Sequence, residues 1–321
     1  MRPLPPLLHP LRDRVFTHRL ACRLGVPRKR LQASDITSLH RGLYCHGPTA
    51  PSEAAVVAGL ELLHPGLHAS HQTAARVHGL GLPAALQKAA ELHVSRGNEQ
   101  PVLRLHGTVC HRLAVHPGEV QTVLPPLDGP FEATGLRIAT PARTWLDLAA
   151  LLPFEDLVAV GDQVVRIPRA RFEGRIDPWA TPAGLSRLLD AHPNFTGIRT
   201  ARAALKDVRV GSDSPPETKL RLALVRSGLP EPELQVRLDP EDQWSPEADL
   251  GYRHFRVAIQ YEGASHRTPE QLRRDNRRDA QFDKARWRYL KFDSADLFDG
   301  FARACREVRE ALCQAQNENP A

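Results

Sequence analysis

The amino-acid sequence predicts an α/β chain, α+β overall, that is divided into several domains. Its 321 residues are more than one ordinary hydrophobic core organises. Apolar residues follow helical spacing in some segments and alternate in others, with Pro- and Gly-rich breaks between them. These observations predict four regions: a helix pair with a hairpin at 1–48, an α+β middle domain at 49–166, a helical linker region at 167–212, and a mixed sheet flanked by helices at 213–316.

The composition is that of an ordinary globular protein, with 41% hydrophobic and 25% charged residues. No apolar run reaches the length of a membrane span, and the first residues lack the features of a secretion signal, so we expect a cytoplasmic protein with no membrane partner. The five cysteines are scattered without a CxxC pair, which argues against a zinc site or a disulfide framework. A net charge of +6 suits an acidic partner such as nucleic acid.

The first region, "VFTHRLACRLGVPRKRLQASDITSLHRGLYCHG", predicts a helix, a glycine turn, a second helix and a hairpin. Thr17 can cap the first helix and Gly25 can end it. The second helix, expected within "VPRKRLQASDI", begins with Arg28, Lys29 and Arg30. This order is typical of a winged helix-turn-helix, in which the three basic residues would face DNA phosphates or the major groove. A small helical packing unit with surface arginines is the alternative.

The middle region begins with helices in "SEAAVVAGLELL" and "SHQTAARVHGL", for which Ser52 and Ser70 are the expected caps. Four short alternating runs then predict a small antiparallel sheet: "ELHVS", "VLRLHG", "VCHRLAVH" and "GLRIAT". "TPARTWLDLAALL" predicts a helix capped by Thr140, and "PFEDLVAVGDQVVR" a helix that would pair with it. His68 and His71 have a spacing that could hold a metal, although surface or hydrogen-bonded histidines are the commoner arrangement.

The last region predicts helix, three strands, helix, strand, helix, which is the order of a mixed sheet flanked by helices. "SPPETKL" contains a capping box of Ser214 and Glu217 with Pro215 at the first helical position. "FRVAIQYEG" alternates as a strand, with Gln260 and Glu262 on one face. Thr268 is the expected cap of the next helix. Residues 267–291 carry nine Lys or Arg against four Asp or Glu, and a solvated helix laced with ion pairs would also explain this excess.

Residues 214–298 resemble a restriction-endonuclease-like domain of the PD-(D/E)xK superfamily, and are most similar to very short patch repair endonucleases. The resemblance rests on Glu217, on "EADL", "QYEG" and "RWRYLKF", and on His266 and Arg274 with Asp275. It covers about a quarter to a third of the chain. It implies a metal-dependent nuclease fold acting on DNA.

The whole chain is also similar to bacterial proteins whose N-terminal winged helix belongs to the abortive-infection type of antitoxin. "FT", "GV", "RGLY" and "TPARTWLDLA" carry that resemblance. It implies DNA binding, and a toxin-type protein partner is possible.

Phosphodiester hydrolysis needs a divalent cation that polarises the phosphoryl oxygen and activates water. Mg²⁺ takes hard oxygen ligands and keeps several waters, so a few carboxylates suffice. We therefore expect Asp249, Glu262 and Gln260 as ligands, Glu217 as a further contact, and His266 as general acid or base. The side chains expected to hold backbone phosphates are those of Arg267, Arg273, Arg274, Arg277 and Arg278.

Two departures from the family pattern leave two hypotheses open. Gln260 stands where an acidic residue is usual, and its uncharged amide should bind Mg²⁺ more weakly. Ser265 stands where the first of two histidines is usual. The first hypothesis is a DNA endonuclease that retains its metal site. The second is a non-catalytic DNA-binding regulator of antitoxin type, in which the nuclease fold is degenerate.

Overall fold

The computed structural model describes residues 6–169, 173–242, 244–263 and 269–318. The chain folds into two compact units, Met1–Leu151 with Ala191–Ile198, and Leu152–Asp190 with Arg199–Ala321. The first boundary therefore falls near residue 151, whereas the sequence suggests one at 166. No separation appears at residue 48, because Val15 and Leu43 share one hydrophobic core with the helix that follows them. The predicted α+β class is confirmed.

The N-terminal unit begins with a small antiparallel sheet of strand order β1-β3-β2. Its elements are β1 (Val15–Thr17), α1 (His18–Arg23), β2 (Ile36–His40) and β3 (Leu43–His46). Thr17 caps α1 as predicted, since its hydroxyl accepts the N–H of Leu20. The predicted second helix is only a 3₁₀ helix, Arg28–Gln32, because the chain returns to an extended conformation at Ala33. The predicted second α-helix is therefore wrong, whereas the winged helix-turn-helix as a whole stays a prediction.

A five-stranded sheet of order β6-β5-β4-β8-β7 forms the rest of this unit. Its strands are β4 (His68–Ala69), β5 (Leu92–Gly97), β6 (Thr108–Leu113), β7 (Val120–Val123) and β8 (Leu136–Ala139), and its helices are α2 (Glu53–Leu63), α3 (His71–His78), α4 (Ala84–Gln87) and α5 (Pro141–Asp147). The sheet is mixed instead of antiparallel, because β5 pairs with β6 and β4 with β8 in parallel. The predicted strand "VLRLHG" is wrong, since only an isolated bridge forms there, between Leu105 and Thr108.

The predicted caps of α2 and α5 are confirmed, whereas that of α3 is not. Ser52 accepts the N–H of Ala55, and Thr140 accepts that of Arg143. Ser70 makes no such bond, because the first residue of α3 has a left-handed backbone and the Ser70 hydroxyl is used elsewhere. Aliphatic side chains of α2 and of the five strands form the core between them.

The C-terminal unit contains one four-stranded sheet of order β12-β11-β10-β9. Its strands are β9 (Glu233–Arg237), β10 (Glu247–Tyr252), β11 (Val257–Glu262) and β12 (Arg288–Asp293). Its helices are α6 (Phe154–Val165), α7 (Pro182–Ala191), α8 (Ile198–Asp207), α9 (Pro215–Arg226), α10 (Pro269–Lys284), α11 (Ser294–Phe298) and α12 (Ala302–Glu318). The predicted final helix is thus two helices, separated by a turn at Gly300. Strands β11 and β12 are parallel and the other pairs antiparallel, as expected for a mixed sheet.

Helices cover both faces of this sheet. Leu224 of α9 and Val308 of α12 pack with Ile259 on one face. Phe282 of α10 packs with Ala248 and Ala258 on the other. Because side chains alternate along a strand, Gln260 and Glu262 share the α10 face with Ala258. Among the described residues, no helix is long and apolar enough to cross a membrane.

Candidate functional site

Asp249 lies in the middle of β10, beside the end of β11. Its Oδ2 accepts the backbone N–H of Tyr261 at 2.7 Å, and the side chain of Gln260 also hydrogen-bonds to its carboxylate. Burial nevertheless raises the pKa of Asp249 to about 6, although these hydrogen bonds and the charge of Arg278 act in the opposite direction. The carboxylate is therefore held in place by hydrogen bonds, but its negative charge is only partly compensated.

Glu217 lies in the first turn of α9 and is only 8% exposed. Its carboxylate accepts the hydroxyl of Ser214 at 2.7 Å and the backbone N–H of Asp213 at 2.9 Å, which is a capping arrangement. Burial and then the negative charge of Asp249 raise the pKa of Glu217 to about 8. Glu217 therefore has two roles at once: it caps the start of the helix and it places a second carboxylate near Asp249.

Cations nearby neutralise the outer part of this acidic cluster. Asp213 also raises the pKa of both Glu217 and Asp249, but it forms ion pairs with Arg166 and Arg169. Among the described side chains, neither Asp249 nor Glu217 forms an ion pair of the kind that Asp213 forms. The inner pair therefore keeps an excess of negative charge, which is the condition under which buried carboxyls retain protons or bind a cation.

Gln260 is 8% exposed and connects two neighbouring side chains. Its Oε1 accepts the hydroxyl of Tyr289 at 3.2 Å, and its side chain hydrogen-bonds to Asp249. The predicted ligand thus lies beside Asp249 as expected, with its amide oxygen already used by a tyrosine. It orients the Asp249 carboxylate without adding charge to the site.

Glu262 forms an ion pair instead of facing an empty space. Nζ of Lys291 lies 3.0 Å from its Oε1 and also pairs with Asp279 of α10. Gln260 and Lys291 are register partners in the parallel β11–β12 pair, which brings Lys291 to this face of the sheet. Lys291 was not among the predicted site residues, because its place depends on a parallel pairing across the intervening α10. The alternation of "WRYLKF" would have been the available signal.

The basic residues of α10 divide into two groups. Arg273 and Arg277 are exposed to solvent. Arg278 is half-buried and forms ion pairs with Asp275 at 3.2 Å and Asp279 at 3.9 Å. Among the other predicted residues, His266, Arg267 and Thr268 lie outside the described residues, as does the side chain of Arg274.

A shallow cavity of about 280 Å³ runs beside α10 in the same unit, between Trp244 and Arg277. Trp244, which lines this cavity, is 74% exposed. An exposed aromatic ring next to a guanidinium is a combination that nucleic-acid-binding surfaces use, since the ring can stack on a base while the cation holds a phosphate.

The three N-terminal basic residues are not equivalent. Arg28 and Lys29 are exposed, whereas Arg30 is 8% exposed and donates two hydrogen bonds of 2.6 Å to Asp35. This bidentate pair stabilises the turn after the 3₁₀ helix and lowers the pKa of Asp35. Arg30 therefore has a structural partner in place of the predicted phosphate, because its guanidinium is directed into the protein.

In the described part of the chain, no group of three or more His, Cys, Asp or Glu side chains is placed to hold a metal ion. Asp249 and Glu217 are a group of two, with an amide beside them. Two carboxylates fit a Mg²⁺ ion that keeps most of its waters, and a divalent cation would stabilise the ionised forms that burial disfavours. The donor set therefore fits a weakly held divalent cation better than a closed structural site.

Comparison of the chain with protein-family models, with curated proteins and with solved structures finds no match.

Proposed function

We propose that the C-terminal unit hydrolyses phosphodiester bonds in DNA, with a divalent cation such as Mg²⁺ held at Asp249 and Glu217. The observation that carries this proposal is the buried carboxylate pair, whose pKa values are raised by burial and, at Glu217, by the charge of Asp249. A protein keeps such an unfavourable arrangement where a ligand relieves it, so perturbed carboxyls cluster at functional sites. The resemblance to very short patch repair endonucleases supports the same conclusion.

In this proposal, each side chain around the pair has a separate task. A bound cation would polarise the phosphoryl oxygen and lower the pKa of a water. Gln260 keeps the Asp249 carboxylate in position through its hydrogen bond. Lys291, which Glu262 and Asp279 orient, supplies a positive charge where negative charge develops on the phosphate. His266 remains the candidate general acid or base.

Exposed arginines of α10 would position the DNA. Arg273 and Arg277 face solvent and can neutralise backbone phosphates. Phosphate contacts hold a duplex without reading its sequence, so they set affinity rather than target choice.

The activity is tested by nicking of supercoiled plasmid DNA in the presence of Mg²⁺ or Mn²⁺. We expect the wild type to nick the plasmid and Asp249→Asn to lower the rate by about a hundredfold or more, since an uncharged ligand holds the cation poorly. Asp190→Asn, which changes an exposed aspartate of α7, is the matched control and should keep the wild-type rate. Equal activity of Asp249→Asn and wild type would reject the proposal, as would an inert wild type with both metals.

Cation binding is measured separately by titration calorimetry with Mn²⁺. Asp249→Asn and Glu217→Gln should each weaken binding by about tenfold or more, because each removes one of two charged ligands. A wild type that binds no Mn²⁺ at about 1 mM would contradict the metal site whatever the nicking assay gives.

A second candidate is the non-catalytic DNA-binding regulator of antitoxin type. The ion pair between Glu262 and Lys291 favours it, because it leaves fewer charged ligands for a metal. Exposed Arg28 and Lys29 would then contact promoter DNA, and a toxin-type partner would be a further binding protein. Salt-dependent retardation of DNA that is lost in the double variant Arg28→Gln, Lys29→Gln, together with no nicking by the wild type, would favour this candidate.

A further inference from the structure

A cavity of about 590 Å³ lies entirely within the N-terminal unit, whereas the carboxylate pair belongs to the C-terminal unit. Its size is in the range of small-molecule sites. The cavity is lined by ring, amide and guanidinium side chains, among them His71, His111, Arg112, His192, Asn194 and Phe195.

His71, the first residue of α3, has an unusual backbone conformation. Its φ is +48°, the left-handed region that a side chain other than glycine rarely adopts. Its backbone N–H bonds to the Asp147 carboxylate, and its Nδ1 lies 3.0 Å from the hydroxyl of Ser70, which accepts the hydroxyl of Ser95. Strain of this kind persists where neighbouring groups enforce it, and it is common at ligand sites.

Three imidazoles form a stack centred on His111, and two of them, His71 and His111, line the cavity. The ring centroids of His71 and His111 are 3.7 Å apart, and the two ring planes are inclined at 15°. Nδ1 of His93 lies 3.1 Å from Nε2 of His111. Burial lowers the pKa of His71 to about 2 and that of His93 to about 4, so both are neutral at physiological pH. A neutral imidazole offers a flat face together with one donor and one acceptor.

The segment 191–198 also lines the cavity, through residues 191–196. Gly197 lets it approach closely, because a Cβ there would lie 2.6 Å from the backbone nitrogen of Ala150. His192 pairs with Glu119 at 2.5 Å, and Phe195 lies under the guanidinium of Arg143 at 5.3 Å from its ring centre. This segment thus adds two rings and the amide of Asn194.

Around the cavity, the positive charges of Arg112 and Arg143 balance the negative charges of Glu119 and Asp147. Arg143 bonds to both Glu119 and Asp147, so each of these carboxylates has a cationic partner. Arg112 is an exposed cation at the rim, where it donates to the carbonyl of Asn98. An anionic group would therefore meet a guanidinium without a competing free carboxylate.

We infer that this cavity binds a small anionic molecule with a flat heterocyclic ring, for which a nucleoside monophosphate is the simplest form. The rings of Phe195 and the imidazole stack provide faces for stacking, and neutral imidazoles and Asn194 provide donors and acceptors for the ring edge. Arg112 takes the phosphate. A metal ion fits less well, since no group of three ligands is placed for one in the described chain.

The test is titration calorimetry of the full chain with AMP, GMP, CMP and UMP, and with inorganic phosphate as a separate probe. At least one nucleotide should bind with Kd below about 1 mM, and inorganic phosphate should bind at least about tenfold more weakly. Arg112→Gln should weaken nucleotide binding about tenfold through the lost charge-assisted hydrogen bond. Arg104→Gln removes an exposed arginine that does not line the cavity and should have no effect.

Three results would overturn the inference: no binding of any of the four nucleotides, phosphate binding as tight as nucleotide binding, or equal losses in Arg112→Gln and Arg104→Gln. Both variants change exposed side chains, so folding is not expected to confuse the comparison. His111→Leu provides a second check, because it should weaken all four nucleotides while leaving the weak phosphate binding unchanged. Since the cavity belongs to one unit and the carboxylate pair to the other, this test can fail while the nicking assay succeeds.

Discussion

The two units both bury ionisable side chains, but they balance them differently. In the N-terminal unit, Arg143 is 1% exposed and bonds to Glu119 and Asp147, and Glu119 also accepts from His192. In the C-terminal unit, Asp249 has hydrogen-bond donors and the charge of Arg278 near it and Glu217 has hydrogen-bond donors, but neither carboxylate forms an ion pair among the described side chains.

This difference in charge balance indicates which site would take up a cation. A balanced network holds its own structure, and removing one member leaves an uncompensated charge inside the protein. An unbalanced pair costs free energy until protons or a cation neutralise it. Removal of a buried charge should therefore have opposite effects on the stability of the two units.

The largest effect is expected for Arg143→Met. The substitution leaves Glu119 and Asp147 buried without their cation, which should destabilise the N-terminal unit by about 3–5 kcal/mol. Hydrogen exchange of α5 measures this locally, since buried helices report the opening of their own unit. Arg104→Met is the control at an exposed site and should change stability by less than about 0.5 kcal/mol. Similar exchange in the two variants would show that the network does not stabilise the unit.

A smaller effect should follow when a new methyl group displaces the segment 191–198, which lines the cavity of the N-terminal unit. Gly197→Ala places a methyl 2.6–2.9 Å from the backbone of Ala149 and Ala150, at φ +87°, and should cost about 2–4 kcal/mol. Gly79→Ala has a similar φ of +71° but open space around the new methyl, so it should cost only about 1 kcal/mol. Thermal unfolding gives both values, and an equal loss in the two variants would mean that the close approach is unimportant.

Local features of the fold were the ones that the sequence could predict. Helix starts at Thr17, Ser52, Thr140 and Ser214 follow from a hydroxyl that accepts a nearby backbone N–H, which depends on a few adjacent residues. The order of elements after Ser214 was also predicted correctly as far as β12, whereas the predicted final helix is two helices, α11 and α12. Ser70 was not, because its hydroxyl bonds to Ser95, which lies on β5 and is distant in sequence.

Contacts between distant residues set the limit for the sites. The sequence placed Asp249 and Gln260 on adjacent strands, and their hydrogen bond confirms that proximity. It could not place Lys291 beside Glu262, since that contact requires β12 to pair in parallel with β11. The stack of His71, His93 and His111 was likewise invisible, because the three residues have no regular spacing and meet only through the sheet and α3.

Glu217→Gln should have the smallest effect and the opposite sign to Arg143→Met. The pKa of Glu217 is raised from 4.5 to about 8, so between these pH values the folded protein holds a proton that the unfolded chain has released. Wild-type stability should therefore fall as pH rises through this interval, whereas glutamine, which does not titrate, should lose less.

At about pH 9 the variant should be more stable than the wild type by on the order of 1 kcal/mol, and near pH 4 the two should be equal. The amide can still accept the N–H of Asp213, so the helix start is preserved. Chemical denaturation over this pH range measures the difference. Added Mg²⁺ should raise the wild-type stability at high pH more than that of the variant, because the cation takes the place of the lost proton. Parallel pH profiles for the two proteins would mean that Glu217 and Asp249 do not share an uncompensated charge, and the contrast between the units would then lose its physical basis.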